Sequence, residues 1–215
     1  MFFKILNIKL FVIFILFIFI TGCPQVKILP QIKMFGESYS QEFKELNKEE
    51  RLIRQNLKNH IEFLAGTLGE RNMFVPNNLK NAVAYIDKSF RAQGHKVSFH
   101  EYVLQKGFSR NTIVMDTFRG IFPLNIPSDS KEPVATNIEI EITGSVYEDE
   151  IILVGAHYDS VVGSPGANDN ASGTAGLLEI GNLLSGKKLK RTIRLVAFVN
   201  EEPPFFATKN MGSYV

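Results

Sequence analysis

Three short polar segments, in one order along the chain, contain side chains that bind metal ions in proteins. They are His157–Ser160 (HYDS), Gly166–Gly173 (GANDNASG) and Asn200–Pro204 (NEEPP). Together they supply an imidazole nitrogen, several carboxylates and two adjacent glutamates. Zinc prefers such ligands, and a glutamate beside zinc can take a proton from metal-bound water. The three segments therefore predict a zinc site with a glutamate as the general base.

The elements around these segments are those of a parallel sheet with a covering helix. Residues 150–156 and 193–199 are short apolar runs typical of buried strands, the first expected to be covered on both faces, and residues 172–184 predict a helix between them. In open α/β sheets, ligands bind beyond the carboxyl ends of strands. We therefore expect His157 and the glutamate pair to meet at one edge of the sheet.

His157 and Asp159 lie two residues apart at a predicted strand end, where side chains at this spacing point the same way. Asp159 can then accept a hydrogen bond from the ring nitrogen of His157 that a metal does not use, which would fix the tautomer of the ring. A buried structural histidine beside a turn aspartate has the same spacing. The presence of the other two segments favours the metal-site interpretation.

Small residues surround Asp169, and they allow a metal or a substrate to approach the backbone closely. Asn168 and Asn170 can form a turn and cap the following helix, which leaves Asp169 for another role. Glu201 and Glu202 are neighbours at the end of a buried strand and should point in opposite directions. One of them could bind the metal while the other faces the substrate.

The preceding part of the chain predicts two helices and two further strands. Residues 41–68 and 79–90 have apolar residues at helical spacing, and Asn77 or Asn78 is expected to cap the second helix. The strands are expected at residues 97–104 and 137–142. This order of elements predicts an α/β fold in which helices pack on a mixed sheet with parallel inner strands.

The N-terminus has the pattern of an exported protein. Two lysines precede an uninterrupted run of 11 apolar residues, which is shorter than the about 20 that span a membrane. The following residues 20–23 (ITGC) resemble the bacterial lipobox, whose cysteine becomes the lipidated first residue of the mature protein. We therefore expect a signal peptide at residues 1–22, a lipid anchor on Cys23, a tether at residues 23–40, and a membrane-anchored location facing the periplasm or the cell surface.

Charge and cysteine content exclude two further features. Residues 23–215 carry equal numbers of basic and acidic residues, so nothing indicates a nucleic-acid partner. Cys23 is the only cysteine, and a disulfide within one chain is therefore excluded.

From about Leu57 onward, the chain resembles the co-catalytic zinc aminopeptidases of metallopeptidase family 28, which include bacterial leucyl aminopeptidase. The resemblance begins in Thr67–Asn72 (TLGERN), is best in Val154–Ser160 (VGAHYDS) and the asparagine-rich loop, and continues through Phe198–Phe206 (FVNEEPPFF) to Met211–Ser213 (MGS). It implies a zinc-aminopeptidase fold of the phosphorylase/hydrolase-like type over residues 41–215, with a peptide as substrate.

The resemblance also implies roles for five residues. His157 would bind one zinc ion, Asp169 would bridge two, and Glu202 would bind the other. Glu201 would be the general base, and Asp159 would orient His157. In this family the peptide bond after the bridging aspartate is often cis, so we expect a cis or strained bond between Asp169 and Asn170.

The chain departs from the family after these segments. The family completes its two sites with a later aspartate and a much later histidine, but none of the thirteen residues after Glu202 is His, Asp or Glu. We therefore expect a C-terminally truncated domain in which each zinc has two protein ligands and binds weakly. The strand before Val199 would then have an exposed edge. His60, His95 and His100 are expected to be ordinary structural histidines.

Three functions fit these observations. The first is an exported, lipid-anchored zinc aminopeptidase, whose activity would depend on the missing segment. The second is a non-catalytic lipoprotein remnant that retains the motifs without the chemistry. The third uses the same site for glutaminyl cyclisation or carboxypeptidase action. The five intact motif positions favour the first.

Overall fold

The computed structural model describes Ser40, residues 42–104 and 134–215, and the backbone of residues 113–116 and 120–123. The predicted signal peptide, the lipidated Cys23 and nearly all of the tether lie outside the described residues. The chain divides into two units, Met1–Lys44 and Glu45–Val215, and the description below concerns the second. Among the helices described, none is both long and apolar enough to cross a membrane.

Three α-helices and six strands form the described part of the chain. The helices are α1 (Lys48–Ile61), α2 (Pro76–Ala92) and α3 (Ser172–Leu184), with π-helical segments at Glu62–Leu68 and Ala167–Ala171 and a 3-10 turn at Gly212–Tyr214. The strands are β1 (Val97–Val103), β2 (Ile113–Asp116), β3 (Gly120–Pro123), β4 (Val134–Ile142), β5 (Tyr147–His157) and β6 (Arg191–Phe198). All the helices and strands predicted from the sequence are present.

Local capping explains where the first two helices begin. The Asn47 side chain accepts a hydrogen bond from the Glu50 backbone, and the Glu50 carboxylate accepts one from the Asn47 backbone, which forms a capping box at the start of α1. The predicted cap of α2 by Asn77 or Asn78 is wrong. That helix begins at Pro76 without a side-chain cap, because Pro76 supplies a preset φ angle and Asn78 instead donates to the Leu68 and Glu70 carbonyls.

The main sheet has the strand order β1-β4-β6-β5, with β2 and β3 forming a separate antiparallel pair. β1 pairs antiparallel with β4, β4 antiparallel with β6, and β6 parallel with β5. The mixed α/β sheet is therefore confirmed, with parallel pairing confined to β5 and β6 among the described strands. Because these two strands run side by side in one direction, their carboxyl ends deliver His157 and Asn200–Glu202 to the same edge.

Two predictions about strand position are wrong. The strand before Val199 is not an edge strand, because β6 lies between β4 and β5 and pairs with both. The strand over residues 150–156 is not covered on both faces. Within the described residues β5 has a partner along one side only, and Ile151, Ile152 and Leu153 each keep about half of their surface exposed (49%, 47% and 57%).

The hydrophobic core lies between the helices and one face of the sheet. Its fully buried members include Ile86 and Phe90 of α2, Leu178 of α3, Ile138 of β4 and Leu195 of β6. The helices are thereby held against β4 and β6, and the strand ends that carry the polar segments have a rigid base.

We expect Ile86→Ala to lower the free energy of unfolding by about 2–5 kcal/mol, because Ile86 is fully buried and the truncation leaves a cavity. Urea unfolding followed by circular dichroism measures this change. The matched control is Leu52→Ala, since Leu52 is a helical aliphatic residue that is 61% exposed, and it should change stability by no more than about 0.5 kcal/mol. Equal losses for the two variants would contradict the described core.

Candidate metal centre

The imidazole of His157 lies between carboxylates on both sides. Its Nε2 atom is 2.9 Å from Asp169 Oδ1 and 3.6 Å from Glu201 Oε2. Its Nδ1 atom lies 3.4 Å from Asp159 Oδ1. Asp159 lies behind the ring, as expected from the sequence, and Nε2 faces the other acidic groups. The expected hydrogen bond from Nδ1 to Asp159 is not formed, because the two atoms stay at ion-pair distance and Nδ1 has no hydrogen-bond partner within the described residues. The His157 carbonyl accepts a hydrogen bond from Thr174 Oγ1 in α3 at 3.0 Å, which secures the end of β5 to the helix.

Asp159 is buried and ties the ends of β5 and β6 together. Its Oδ1 atom accepts a hydrogen bond from the Glu201 backbone nitrogen at 3.2 Å, and its Oδ2 atom accepts one from the Glu202 nitrogen at 3.1 Å. Tyr158 N also donates to Phe198 O at 2.9 Å. One carboxylate therefore fixes the backbone of both glutamates and lies 3.4 Å from the imidazole of His157.

The two glutamates differ in environment. Glu202 is 8% exposed, and its Oε1 atom has no hydrogen-bond partner within the described part of the chain. Burial, together with the carboxylates of Asp169, Asp159 and Glu201, raises the pKa of Glu202 to about 7 against the opposing effect of His157. A buried carboxylate oxygen without a partner is unfavourable, and a bound cation would satisfy it.

Glu201 is more accessible, with 33% of its side chain exposed. Burial raises its pKa, the neighbouring imidazole of His157 lowers it, and the carboxylates of Asp159 and Asp169 raise it, with a net upward shift. One ligand atom from each of His157, Glu201 and Glu202 can be chosen so that all lie within 4.8 Å of one another. Two of these side chains could therefore hold a metal ion while the third lies close beside it.

The Asp169 loop brings a further carboxylate to the same place. The peptide bond between Asp169 and Asn170 is cis, as predicted. Asn170 Oδ1 accepts a hydrogen bond from Gly173 N at 2.8 Å, so this asparagine caps the start of α3, as the sequence suggested. The Asp169 side chain is 74% exposed, and its Oδ1 atom faces His157 Nε2.

The charges of this cluster fit a metal cation. Burial lowers the pKa of His157, but the carboxylates of Asp159, Glu201 and Asp169 more than offset this and raise it to about 9. Near neutral pH the metal-free imidazole is therefore protonated, and its positive charge partly balances the acidic groups. A divalent cation would replace that proton with a larger charge, so the residues present suit a metal with nitrogen and oxygen ligands such as zinc.

Two supporting residues were missed by the sequence analysis. Asn137 in β4 accepts a hydrogen bond from Val199 N at 3.1 Å and donates one to Gly212 O at 2.9 Å, which fixes the chain entering and leaving the glutamate segment. Arg71 is fully buried beside the Asp159 strand end. An amide within an apolar strand and an arginine just after a helix-ending glycine were the available signals for these two residues.

The three other histidines have structural partners, as expected. His60 Nδ1 lies 2.7 Å from the Tyr85 hydroxyl, His95 Nε2 lies 2.9 Å from Gly181 O, and His100 Nε2 lies 3.1 Å from Glu139 Oε2. Burial lowers the pKa of His60, against an opposing effect of Glu179. These contacts join neighbouring helices, a helix and the segment before β1, or paired strands, and none involves the acidic cluster.

Residues 137–213 match the sequence profile of the family described as Peptidase family M28. Over 169 residues the chain is 32% identical to the protein YfbL of Escherichia coli (strain K12), covering 75% of this chain and 44% of that protein. Over 65 residues it is 45% identical to Aminopeptidase YwaD of Bacillus subtilis (strain 168), covering 30% of this chain and 14% of the relative.

The fold is similar to that of BSAP, a zinc aminopeptidase from Bacillus subtilis. The TM-score is 0.52 at 17% identity, covering 68% of this chain and 61% of that chain. At this identity the similarity is one of fold alone. The chain spans less than half the length of the two curated relatives, at 44% and 14%, so their activity does not transfer to it by alignment alone.

We expect Asp159→Asn to weaken zinc binding by roughly 10- to 100-fold, the usual loss when a group that orients a metal-binding histidine is changed. The amide keeps the shape of the carboxylate but carries no charge to hold His157 and the two backbone N–H groups. Competition with a chromophoric chelator measures the affinity. Asp87→Asn is the control, because Asp87 pairs with Arg91 on the partly exposed face of α2, and it should leave affinity unchanged. Equal affinities in the two variants would contradict the role of Asp159.

Proposed function

We propose that the chain acts as a zinc-dependent aminopeptidase, and the match of residues 137–213 to the profile of Peptidase family M28 supports this proposal. The observation that carries this proposal is the meeting of His157, Glu201 and Glu202 at the carboxyl ends of β5 and β6, with Asp169 alongside. A solvent-accessible group of carboxylates and one imidazole at this place in an α/β sheet supports metal-assisted hydrolysis.

His157 Nε2 would hold one zinc ion and Glu202 the other. His157 is oriented by Asp159, Glu202 has an unpartnered buried oxygen, and Asp169 lies 2.9 Å from the imidazole. The exposed Asp169 carboxylate would be shared between the two ions. When bound, zinc polarises the carbonyl of the substrate and lowers the pKa of water.

Glu201 is the proposed general base. Its side chain is the more exposed of the glutamate pair, while its backbone N–H is fixed by Asp159. A base must reach water and hold its position, and Glu201 meets both conditions. Its raised pKa makes the carboxylate a better proton acceptor, and a base here would accept a proton from the attacking water and later pass it to the departing amine.

We expect Glu201→Gln and Glu202→Gln to have different effects. Glu202→Gln should weaken zinc binding at least tenfold, because it removes a ligand charge. Glu201→Gln should leave zinc affinity within about threefold and reduce kcat by about 10²- to 10⁴-fold, the usual contribution of a general base. Isothermal titration with zinc and turnover of leucine p-nitroanilide measure the two properties. Equal loss of zinc affinity in both variants would contradict the assignment.

The reaction itself is tested by product analysis. An aminopeptidase releases the first residue of a peptide with a free amino terminus, and chelator treatment should stop that release. Cyclisation of an N-terminal glutamine without hydrolysis, or release from the carboxyl terminus, would identify one of the competing reactions. If the chain bound no zinc and turned over neither substrate even after the missing C-terminal segment was restored, the result would support the non-catalytic lipoprotein.

We also propose that the protein is exported and anchored by lipid on Cys23, since a short apolar run ends in the lipobox-like residues 20–23. In a bacterial expression host, Cys23→Ser should abolish incorporation of an alkyne-labelled fatty acid and release the chain from the membrane fraction. The control is Ser40→Ala, a change in the predicted tether that should alter neither readout. Persistent labelling of the serine variant would exclude Cys23 as the anchor.

A further inference from the structure

Arg71 is a charged residue enclosed by backbone carbonyl groups. It lies between the π-helical segment Glu62–Leu68 and α2, and it is fully buried. Its guanidinium donates hydrogen bonds to the carbonyls of Leu64, Gly69, Tyr158, Pro165 and Gly166. Burial lowers the pKa of Arg71 to about 10, opposed by the attraction of Asp159 and Glu202, so the group remains charged near neutral pH.

One set of these contacts fixes the end of β5. Arg71 Nε donates to Tyr158 O at 2.7 Å, and Tyr158 is the residue between His157 and Asp159. The Arg71 backbone adds two bonds to Ser160, with Arg71 N donating to Ser160 Oγ at 3.1 Å and Ser160 N donating to Arg71 O at 3.0 Å. The segment that carries the histidine and its orienting aspartate is thus attached to Arg71 at successive points.

A second set fixes the loop that carries Asp169. Arg71 Nη1 donates to Pro165 O at 2.5 Å, and Nη2 donates to Gly166 O at 3.0 Å. Gly166 has φ 55°, and its carbonyl also accepts a hydrogen bond from Ala171 N at 3.0 Å. This second bond closes the turn that contains Asp169. The guanidinium therefore fixes the backbone at the start of this turn, at Pro165 and Gly166.

We propose that Arg71 is a positioning residue of the metal site, whose guanidinium holds the His157–Asp159 strand end and the Asp169 loop at one separation. This inference rests on the proposed function only in requiring that the site binds a metal. The planar guanidinium has five N–H donors at fixed angles, so it can bond to Tyr158 O and to the Pro165–Gly166 carbonyls at the same time. A lysine ammonium keeps the charge but cannot span both segments.

The test compares Arg71→Lys with the unaltered full chain. We expect zinc and cobalt affinities, measured by competition with a chromophoric chelator, to fall at least tenfold in Arg71→Lys. The visible absorption of bound Co²⁺ should also change, because the ligands no longer keep their relative positions. Arg194→Lys is the matched control, since Arg194 lies on β6 in partly exposed ion pairs with Glu139 and Glu141, and it should remain within twofold.

The outcomes separate this inference from the proposed function. A folded Arg71→Lys variant with unaltered affinity and an unaltered Co²⁺ spectrum would overturn the positioning role while leaving the metal site in place. An unaltered chain that binds neither metal would overturn the proposed function, and the positioning role with it. Near-ultraviolet circular dichroism in the presence of chelator reports whether each variant is folded.

A second variant decides the matter if Arg71→Lys does not fold. Pro165→Gly removes an exposed ring and loosens the backbone of the loop, but it keeps the carbonyls that Arg71 holds. If the guanidinium fixes the loop, metal affinity should stay within threefold of that of the unaltered chain. A tenfold loss in Pro165→Gly would show that proline stiffness, and not Arg71, positions Asp169, and would overturn the inference.

Discussion

The hydrogen bonds from the Glu201 and Glu202 backbone to the Asp159 carboxylate are the interactions on which the site depends. They join the ends of β5 and β6, and the same carboxylate lies behind the His157 ring. A buried carboxylate is costly unless it is hydrogen-bonded, and bonds to a charged acceptor are stronger than neutral ones. Asp159 therefore belongs as much to the fold as to the chemistry, because the strand ends that it joins present His157 and both glutamates of the cluster.

The carboxylates of the cluster lie close enough to repel one another. Asp159, Asp169, Glu201 and Glu202 lie close together, and this proximity contributes to the raised pKa of both glutamates. Such a cluster persists only when surrounding structure fixes it. The chain supplies that structure through backbone N–H donors at Asp159 and through the charged guanidinium of Arg71, which attracts Asp159 and Glu202 from within the core. Repulsion among the side chains is thus tolerated because their backbones are held independently.

The sequence was most informative where local rules decide the structure. Apolar runs predicted the positions of β5 and β6. The polar residues directly after two parallel strands lie at one edge of the sheet, so the meeting of His157, Glu201 and Glu202 could be predicted from the sequence. The sequence was least informative where contacts between distant segments determine the structure. The edge position of β5 depends on which strands pair with it, and Arg71 acts through carbonyls up to 95 residues away. The prediction that Asn78 caps a helix was wrong because the helix starts at Pro76. The side-chain amide of Asn78 donates to the Leu68 carbonyl instead.

The residues that support this site and the side chains that would bind the metal differ in how much they gain from a cation. We call the supporting residues the frame. The frame consists of Asp159, Arg71 and Asn137 bonded to backbone groups, and none of these bonds requires a cation. The ligands are a protonated imidazole and carboxylates that repel one another, including a buried Glu202 oxygen without a partner within the described residues. A cation adds attraction at the ligands, so its binding free energy adds to the stability of the folded chain. The buried polar residues beneath the site hold the backbone that carries the ligands, and they therefore serve metal affinity as well as folding.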